Sequence, residues 1–231
     1  MPLALITGAS RGLGLALAQR LAADGWQLLV DARGADALHS AVAVLGTCAV
    51  GLPGDVADEG HRERLGDTVR GLGRLDLLVN NASVLGPSPL PPLERYPITA
   101  LEAVLRVDTL APLDLIRRVL PQLRESHGVV VNVSSDAAVA AYPGWGGYGA
   151  SKAALDLLSA VLAVELPELA VYAFDPGDMR TAMHAEAFPG EDISDRPEPP
   201  TVVPALLRLL QERPPSGRYR AADLLTATGA R

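Results

Sequence analysis

The chain is predicted to fold as an α/β protein, a doubly wound parallel sheet of about seven strands with helices on both faces. Three observations lead there. Short apolar, β-branched runs alternate with stretches of helical periodicity along the chain. The strand runs are apolar throughout instead of alternating, as strands buried on both faces require. The first run breaks into a glycine-rich turn that opens a helix.

Taken in order, residues 3–7 form the first strand, and GASRGLG follows with Gly8, Gly12 and Gly14 before the helical LALAQRLAAD. Strand, glycine turn and helix in that order make a phosphate-binding turn, because glycines admit a pyrophosphate close to the backbone and the helix presents unpaired amides. WQLLVD, residues 26–31, is a second strand, and a helix covers 36–45. A third strand spans 47–52 and leads to GDVAD, with Asp58 as a helix N-cap. Residues 75–79 are a fourth strand running into NNAS. The proline-rich PSPLPPLERYP cannot sustain a helix, but a long helical pattern follows over 98–125, bent or interrupted at Pro112 and Pro121. Residues 129–133 are the fifth strand and 170–174 the sixth, which ends at DPGDMRT. The acidic, proline-rich stretch 182–200 reads as a mobile segment, and a last helix covers 201–211. No linker divides the chain, so residues 1–231 are expected to be one domain.

Composition narrows the function. At 48% hydrophobic and 20% charged, the chain can bury a large core, and its net charge of −7 argues against general affinity for nucleic acid or anionic lipid. Cys48 is the only cysteine, which excludes an internal disulfide and a thiolate metal site. His39, His61, His127 and His184 show no metal-ligand spacing and read as surface or loop residues, so no metal is expected. There is no secretion signal and no apolar run long enough to span a bilayer, and a cytoplasmic location is the default.

The candidate chemistry lies in NVSSDAAVAAYPGWGGYGASK, residues 132–152. Ser135 stands at the carboxyl end of the fifth strand, where open α/β sheets collect ligands. Tyr148 and Lys152 are four residues apart at the head of a helix and share a face. A free phenol is a poor acid or base at neutral pH, and a neighbouring ammonium favours its ionised form. Ser135 offers a hydroxyl to an oxygen on which negative charge develops. Together they suit proton transfer to or from an oxygen. Such a tyrosine/lysine pair is common on helix surfaces, so its weight comes from the segments that accompany it.

With TGASRGLG, NNAS, the serine and the tyrosine/lysine pair present in order, the chain resembles the classical short-chain dehydrogenase/reductase family from the glycine turn to PGDMRT. The resemblance implies a Rossmann-type fold and a dinucleotide cofactor. It implies that Gly8, Ser10, Arg11, Gly12, Leu13 and Gly14 form the pyrophosphate turn, that Asp55 and Val56 border the adenine, and that Asn81 and Ala82 flank its ribose. Ser135 would hold the substrate oxygen and Tyr148 exchange the proton. Lys152 would bind the nicotinamide ribose and tune Tyr148, with Pro176, Gly177 and Thr181 positioning the nicotinamide. Ser134 is set aside, since the second serine matches the family's acting one and strand alternation points the two apart.

Three departures stand out. Ser83 occupies the glycine position of the family's NNAG, Asp108 aligns with its catalytic asparagine, and the tail SGRYRAADLLTATGAR lacks its closing pattern. An aspartate cannot donate as an amide does unless protonated. Cofactor choice rests on the end of the second strand, where VDAR places Ala32 at the discriminating position beside Arg33, with Arg11 as a second guanidinium. NADP(H) is therefore favoured, while a register one residue over brings Asp31 into the role that selects NAD(H).

These readings point to an oxidoreductase acting on a small carbonyl or alcohol compound, with Ser135, Tyr148, Lys152 and Asp108 as catalytic candidates. The rival is a dinucleotide-binding sensor or structural partner without turnover, motivated by Ser83 and Asp108. Leu85, Tyr142, Trp145, Met183 and Phe188 are candidate walls of an apolar substrate pocket, with 178–200 as its loop, though core or plain loop roles suit them equally. The resemblance suggests a homodimer or homotetramer through the long helices.

Overall fold

The computed structural model describes residues 1–226. Residues 227–231, the end of the departing tail, lie outside the described residues. Seven parallel strands form one sheet in the order β3-β2-β1-β4-β5-β6-β7: β1 Leu3–Ile6, β2 Gln27–Ala32, β3 Ala49–Pro53, β4 Leu77–Asn80, β5 Val129–Val133, β6 Ala170–Asp175 and β7 Gly217–Arg220. The strand order reverses between β1 and β4. Their carboxyl ends diverge there into a crevice, which makes this the expected ligand edge.

Uniformly apolar strands are explained by two buried faces. Ala4 and Ile6 join Leu28, Val30, Val131 and Phe174 under α1 (Gly12–Ala23), α2 (Ala35–Leu45) and α8 (Val203–Glu212). The alternate residues Leu3 and Leu5 join Leu29, Leu78 and Val130 under α3 (Glu59–Leu72) and α5 (Ala111–Ser126). Successive side chains point to opposite faces, so a strand with helices on both sides has no position to give to a polar residue. The polar exceptions are paired. Asn80 on β4 donates to Asn132 on β5 at 2.8 Å, Asn132 donates to Ser159 at 2.8 Å, and Ser159 donates to the Leu155 carbonyl at 2.7 Å. This chain ties two central strands to α6 (Gly146–Glu165).

The long helical pattern over 98–125 is not one helix bent at its prolines. It divides into α4 (Ile98–Leu105), a π turn (Arg106–Leu110) and α5. Pro112 sits in the first turn of α5, where its missing amide costs nothing, and Pro121 is accommodated inside it. The widening falls just before Pro112 because that residue has no amide to give the carbonyl of residue 108, and the ladder shifts to a wider register there. Asp108 lies in that π turn.

The stretch 182–200 holds a short helix, α7 (Ala182–Ala187), whose first turn is capped by the Thr181 hydroxyl on the His184 amide at 3.2 Å. A short α9 (Ala221–Thr226) follows β7. Among the described residues no helix is long and apolar enough to cross a membrane.

Ser159→Ala removes the acceptor of the buried Asn132 amide and should cost about 1–3 kcal/mol. Urea denaturation checks this, with a lowered midpoint at an unchanged slope.

Candidate active site

A cleft of about 870 Å³ opens at the carboxyl ends of the central strands. Its walls include every candidate catalytic and cofactor-binding residue of the sequence reading except Gly14 and Asp108.

The glycine turn is held from three directions. The Gly8 amide donates to the Asp31 carboxylate at 2.8 Å and the Ala9 amide to the Asp31 carbonyl at 2.9 Å. The Asn81 side chain donates to the Thr7 and Gly8 carbonyls at 2.9 and 3.1 Å. Gly8 has φ +66°, and a Cβ there would fall 2.8 Å from the Ala82 Cα, so both its conformation and its space exclude a side chain. At Gly14 a Cβ would lie 2.6 Å from the Asn81 amide nitrogen and 2.7 Å from the Gly8 carbonyl. Gly14 therefore serves close packing behind the turn instead of lining the cleft. Arg11 is the N-cap of α1 and offers no side-chain acceptor, so the first amides of the helix are available to an anion.

At the end of β2, Arg33 is exposed while Asp31 is 1% exposed. One carboxylate oxygen of Asp31 takes the Gly8 amide and the other lies 2.9 Å from His61 Nε2. Burial pushes the Asp31 carboxyl up, opposed by His61 and the Gly8 amide. Both oxygens are thus committed within the protein. His61 itself is fully buried and His184 nearly so, correcting the reading of all four histidines as surface or loop residues. A histidine on α3 is drawn inward because a buried carboxylate needs a partner. Asp55 accepts the Ala57 amide at 2.8 Å and lines the cleft beside Val56.

On the opposite wall, Ser135 follows β5. Its Oγ accepts the Ala137 amide at 3.1 Å and donates to Asp136 at 2.9 Å. Ser134 is 2% exposed and its hydroxyl is buried without a partner. Tyr148 and Lys152 both reach the cleft from α6. Lys152 is buried, donates to the Val133 carbonyl at 2.9 Å, lies 3.9 Å from Asp108 and stands 5.5 Å from the centre of the Tyr148 ring. The expectation that Lys152 lowers the Tyr148 pKa is not met. Burial, followed by the charge of Asp108, pushes the phenol well above its ordinary range, and a hydrogen bond with Ser83 acts in the opposite direction. The ammonium's field is spent on Asp108 and a carbonyl, and the phenol is held protonated.

Asp108 is fully buried behind the wall. Its Oδ2 accepts the Ser83 hydroxyl at 3.0 Å and the Ser151 hydroxyl at 3.2 Å, and its Oδ1 accepts the Val84 amide at 3.0 Å. The two departures in the body of the chain, Ser83 and Asp108, are therefore hydrogen-bonded to each other.

Leu85, Trp145 and Met183 line the cleft as expected. Phe188 instead packs behind Trp145, with ring centres 5.9 Å apart, and Tyr142 is exposed and donates to Asp136 at 2.9 Å. Sequence reading missed Arg218. From β7 it donates to the Ser135 carbonyl and to Asp175 at 2.9 Å each, and to Asp156 at 3.0 Å. Nothing local marks it, since Ser135 is 83 residues away.

Comparison with known proteins identifies the family. The family model for short chain dehydrogenases matches residues 2–192. Serine 3-dehydrogenase of Rhizobium radiobacter is 34% identical over 181 residues, covering 77% of this chain and 72% of that protein. Sepiapterin reductase of Mus musculus is 36% identical over 196 residues, covering 78% and 75%. A short chain dehydrogenase from Shigella flexneri, solved with NADP, superposes with a TM-score of 0.90 at 27% identity over 96% of this chain and 97% of that one.

Gly8→Ala should destabilise by about 1–3 kcal/mol through backbone strain and displace the turn from Ala82. Gly25→Ala, at φ +83° with nothing within 4 Å, carries strain alone and should cost less. Chemical denaturation of the two variants compares them directly.

Proposed function

This chain belongs to the short chain dehydrogenase family, and from that premise we propose that it is an NADP(H)-dependent oxidoreductase acting on a small carbonyl or alcohol compound. The observation that carries the reading is the placement of Ser135, Tyr148 and Lys152 on one wall of a cleft whose far end is a glycine turn. The residues present fit a dinucleotide. The side-chain-free cradle at Gly8 and Gly12, the uncapped start of α1 and the exposed guanidinium of Arg33 suit a phosphate-bearing ligand. NADP(H) is favoured over NAD(H), because Asp31 is committed to Gly8 and His61 while Arg33 is exposed and pairs with no acid among the described residues. The NADP in the Shigella neighbour and the NADPH in a related Escherichia coli structure, 28% identical with a TM-score of 0.88 over 95% of this chain and 96% of that one, support the choice.

In this reading Gly8, Ser10, Arg11, Gly12 and Leu13 hold the pyrophosphate and Arg33 the adenosine phosphate. Asp55 and Val56 border the adenine, and Asn81 and Ala82 its ribose. Lys152 and Tyr148 take the nicotinamide ribose, and Pro176, Gly177 and Thr181 position the ring. The cofactor, when bound, supplies or accepts the hydride. The protein handles the oxygen. Ser135 donates to it as charge develops, and Tyr148 gives it a proton. A phenol kept neutral by burial has its proton in place for transfer to the oxygen, the form that carbonyl reduction uses. Leu85, Trp145 and Met183 favour a carbonyl compound with an apolar flank.

The rival reading of binding without turnover drew on Ser83 and Asp108, and their mutual hydrogen bond behind the wall no longer favours it. The chain is proposed to act as one catalytic domain with 178–200 as the substrate loop. Exposed Leu157, Val161 and Val164 form one strip of α6, with Ile98 and Leu110 exposed nearby in sequence to α4 and α5. That apolar strip supports a homodimer or homotetramer through these helices.

Tyr148→Phe should keep the NADPH dissociation constant within about threefold and lower turnover by about 10²–10⁴. A panel of ketones and aldehydes assayed with NADPH supplies the measurement, and unchanged turnover would remove the role assigned to the phenol. Arg33→Ala should weaken NADPH by about tenfold or more while leaving NADH nearly unaffected, as read by titration of each cofactor.

A further inference from the structure

The proposed reaction needs Ser135 in fixed relation to the turn at Gly177 and to the helix of Tyr148, yet these stand on three separate elements. We propose that Arg218 is the positioning residue of Ser135, a single guanidinium on the edge strand that braces the serine against both. The inference deepens the oxidoreductase reading and rests on it for the effect on turnover, though not for the brace itself.

The ladder between β5 and β6 ends with the Ser134 amide on the Phe174 carbonyl at 2.7 Å. The next residues are Ser135 on one side and Asp175 on the other. Arg218 Nη2 takes over where the ladder stops, donating to the Ser135 carbonyl and to Asp175 Oδ2 at 2.9 Å each. The other Asp175 oxygen accepts the Gly177 amide at 3.0 Å, so the guanidinium reaches that turn through one carboxylate. On the serine side, the Ala138 amide shares the Ser135 carbonyl at 3.1 Å, and the Ala137 amide donates to the hydroxyl oxygen at 3.1 Å. The backbone and the side chain of Ser135 are thereby oriented together.

The third contact reaches α6. Arg218 Nε donates to Asp156 Oδ2 at 3.0 Å, and Asp156 follows Tyr148 and Lys152 at the same four-residue interval. The Asp156 side chain is 14% exposed, and its Oδ1 is buried with no hydrogen-bond partner among the described residues. A carboxylate set so deep needs a cation to offset its burial, and Arg218 supplies it. A planar guanidinium serves one carbonyl and two carboxylates in fixed directions, which an ammonium on a flexible stem does not reproduce. Arg218 belongs to SGRYRAADLLTATGAR, the tail that departs from the family's closing pattern. The departing tail thus carries the brace.

Arg218→Lys keeps the charge and removes the fork. In the cofactor-free protein, amide hydrogen exchange followed by NMR should quicken about tenfold or more at Ala137, Ala138 and Gly177, while Asn81 and Ala82, held by Thr7 across the cleft, keep their wild-type rates. Asp156→Asn, which leaves the guanidinium in place, should quicken the same three amides by a smaller factor. Equal acceleration of all five amides, the mark of a global loss of stability, overturns the proposal, as do unchanged rates at Ala137 and Gly177. With NADPH and a reducible carbonyl, Arg218→Lys should lower kcat about tenfold or more with KM within about threefold, the scale of loss that a misplaced reacting group brings. In a Ser135→Ala background the same substitution should cost less than about threefold, since the arginine acts through that serine. Equal losses of kcat in the two backgrounds overturn the positioning role while leaving the enzyme intact. If the three amides respond but the wild-type chain reduces no ketone or aldehyde, the oxidoreductase reading fails and the brace stands.

Discussion

The two strand ends that frame the cleft are joined through one hydroxyl. Thr7, just past β1, accepts the Asn81 and Ala82 amides at 3.0 Å each, reaching across to the residues that follow β4. These are the strands at which the sheet order reverses, and their ladder ends here, with the Thr7 amide on the Val79 carbonyl at 3.0 Å. Beyond the ladder the Thr7 hydroxyl and the Asn81 side chain hold the two ends together, and in doing so they set the height of the glycine turn and the wall that carries Ala82, Ser83 and Val84. The cleft opens where the chain leaves these two strands in opposite directions, and it keeps its shape because polar groups join its two sides.

The same edge concentrates buried charge, and each charge is provided for. Asp31 is matched by His61 and the Gly8 amide, and Asp108 by Lys152, two hydroxyls and an amide. An unpaired buried carboxylate would cost several kcal/mol, so such residues persist only where the surrounding donors are complete. The result is a wall in which one carboxylate braces the glycine turn and another lies behind the Tyr148 and Ser83 side chains. Arg218 adds a third anchor, binding the Ser135 carbonyl to two acids and so tying the edge strand β7 to Ser135.

Much of this was legible beforehand. The first six strands, the glycine turn, and the grouping of Ser135, Tyr148 and Lys152 are local patterns and fall where the residues suggested, while the 98–125 helix is divided and 182–200 holds α7. The failures share a cause. His61 read as a surface residue because its partner Asp31 is 30 residues away. Lys152 was expected to acidify Tyr148 because the pair is adjacent on a helix, yet the burial of the phenol and the claim of Asp108 on the ammonium decide the outcome. Gly14 was assigned to the cofactor by its place in the motif, whereas the approach of Asn81 is what forbids it a side chain.

What the residues alone determined is therefore the central strands, the sheet class and the candidate reacting groups, since periodicity, glycine and a four-residue spacing act within one turn or one strand. The tertiary structure decided the protonation and the partners: Asp31 withdrawn from the cofactor, Ser83 joined to Asp108 across 25 residues, and Ser135 held from β7 across 83. Hydrogen bonds and desolvation depend on distances that only the packed chain defines, and a pKa is the sum of both.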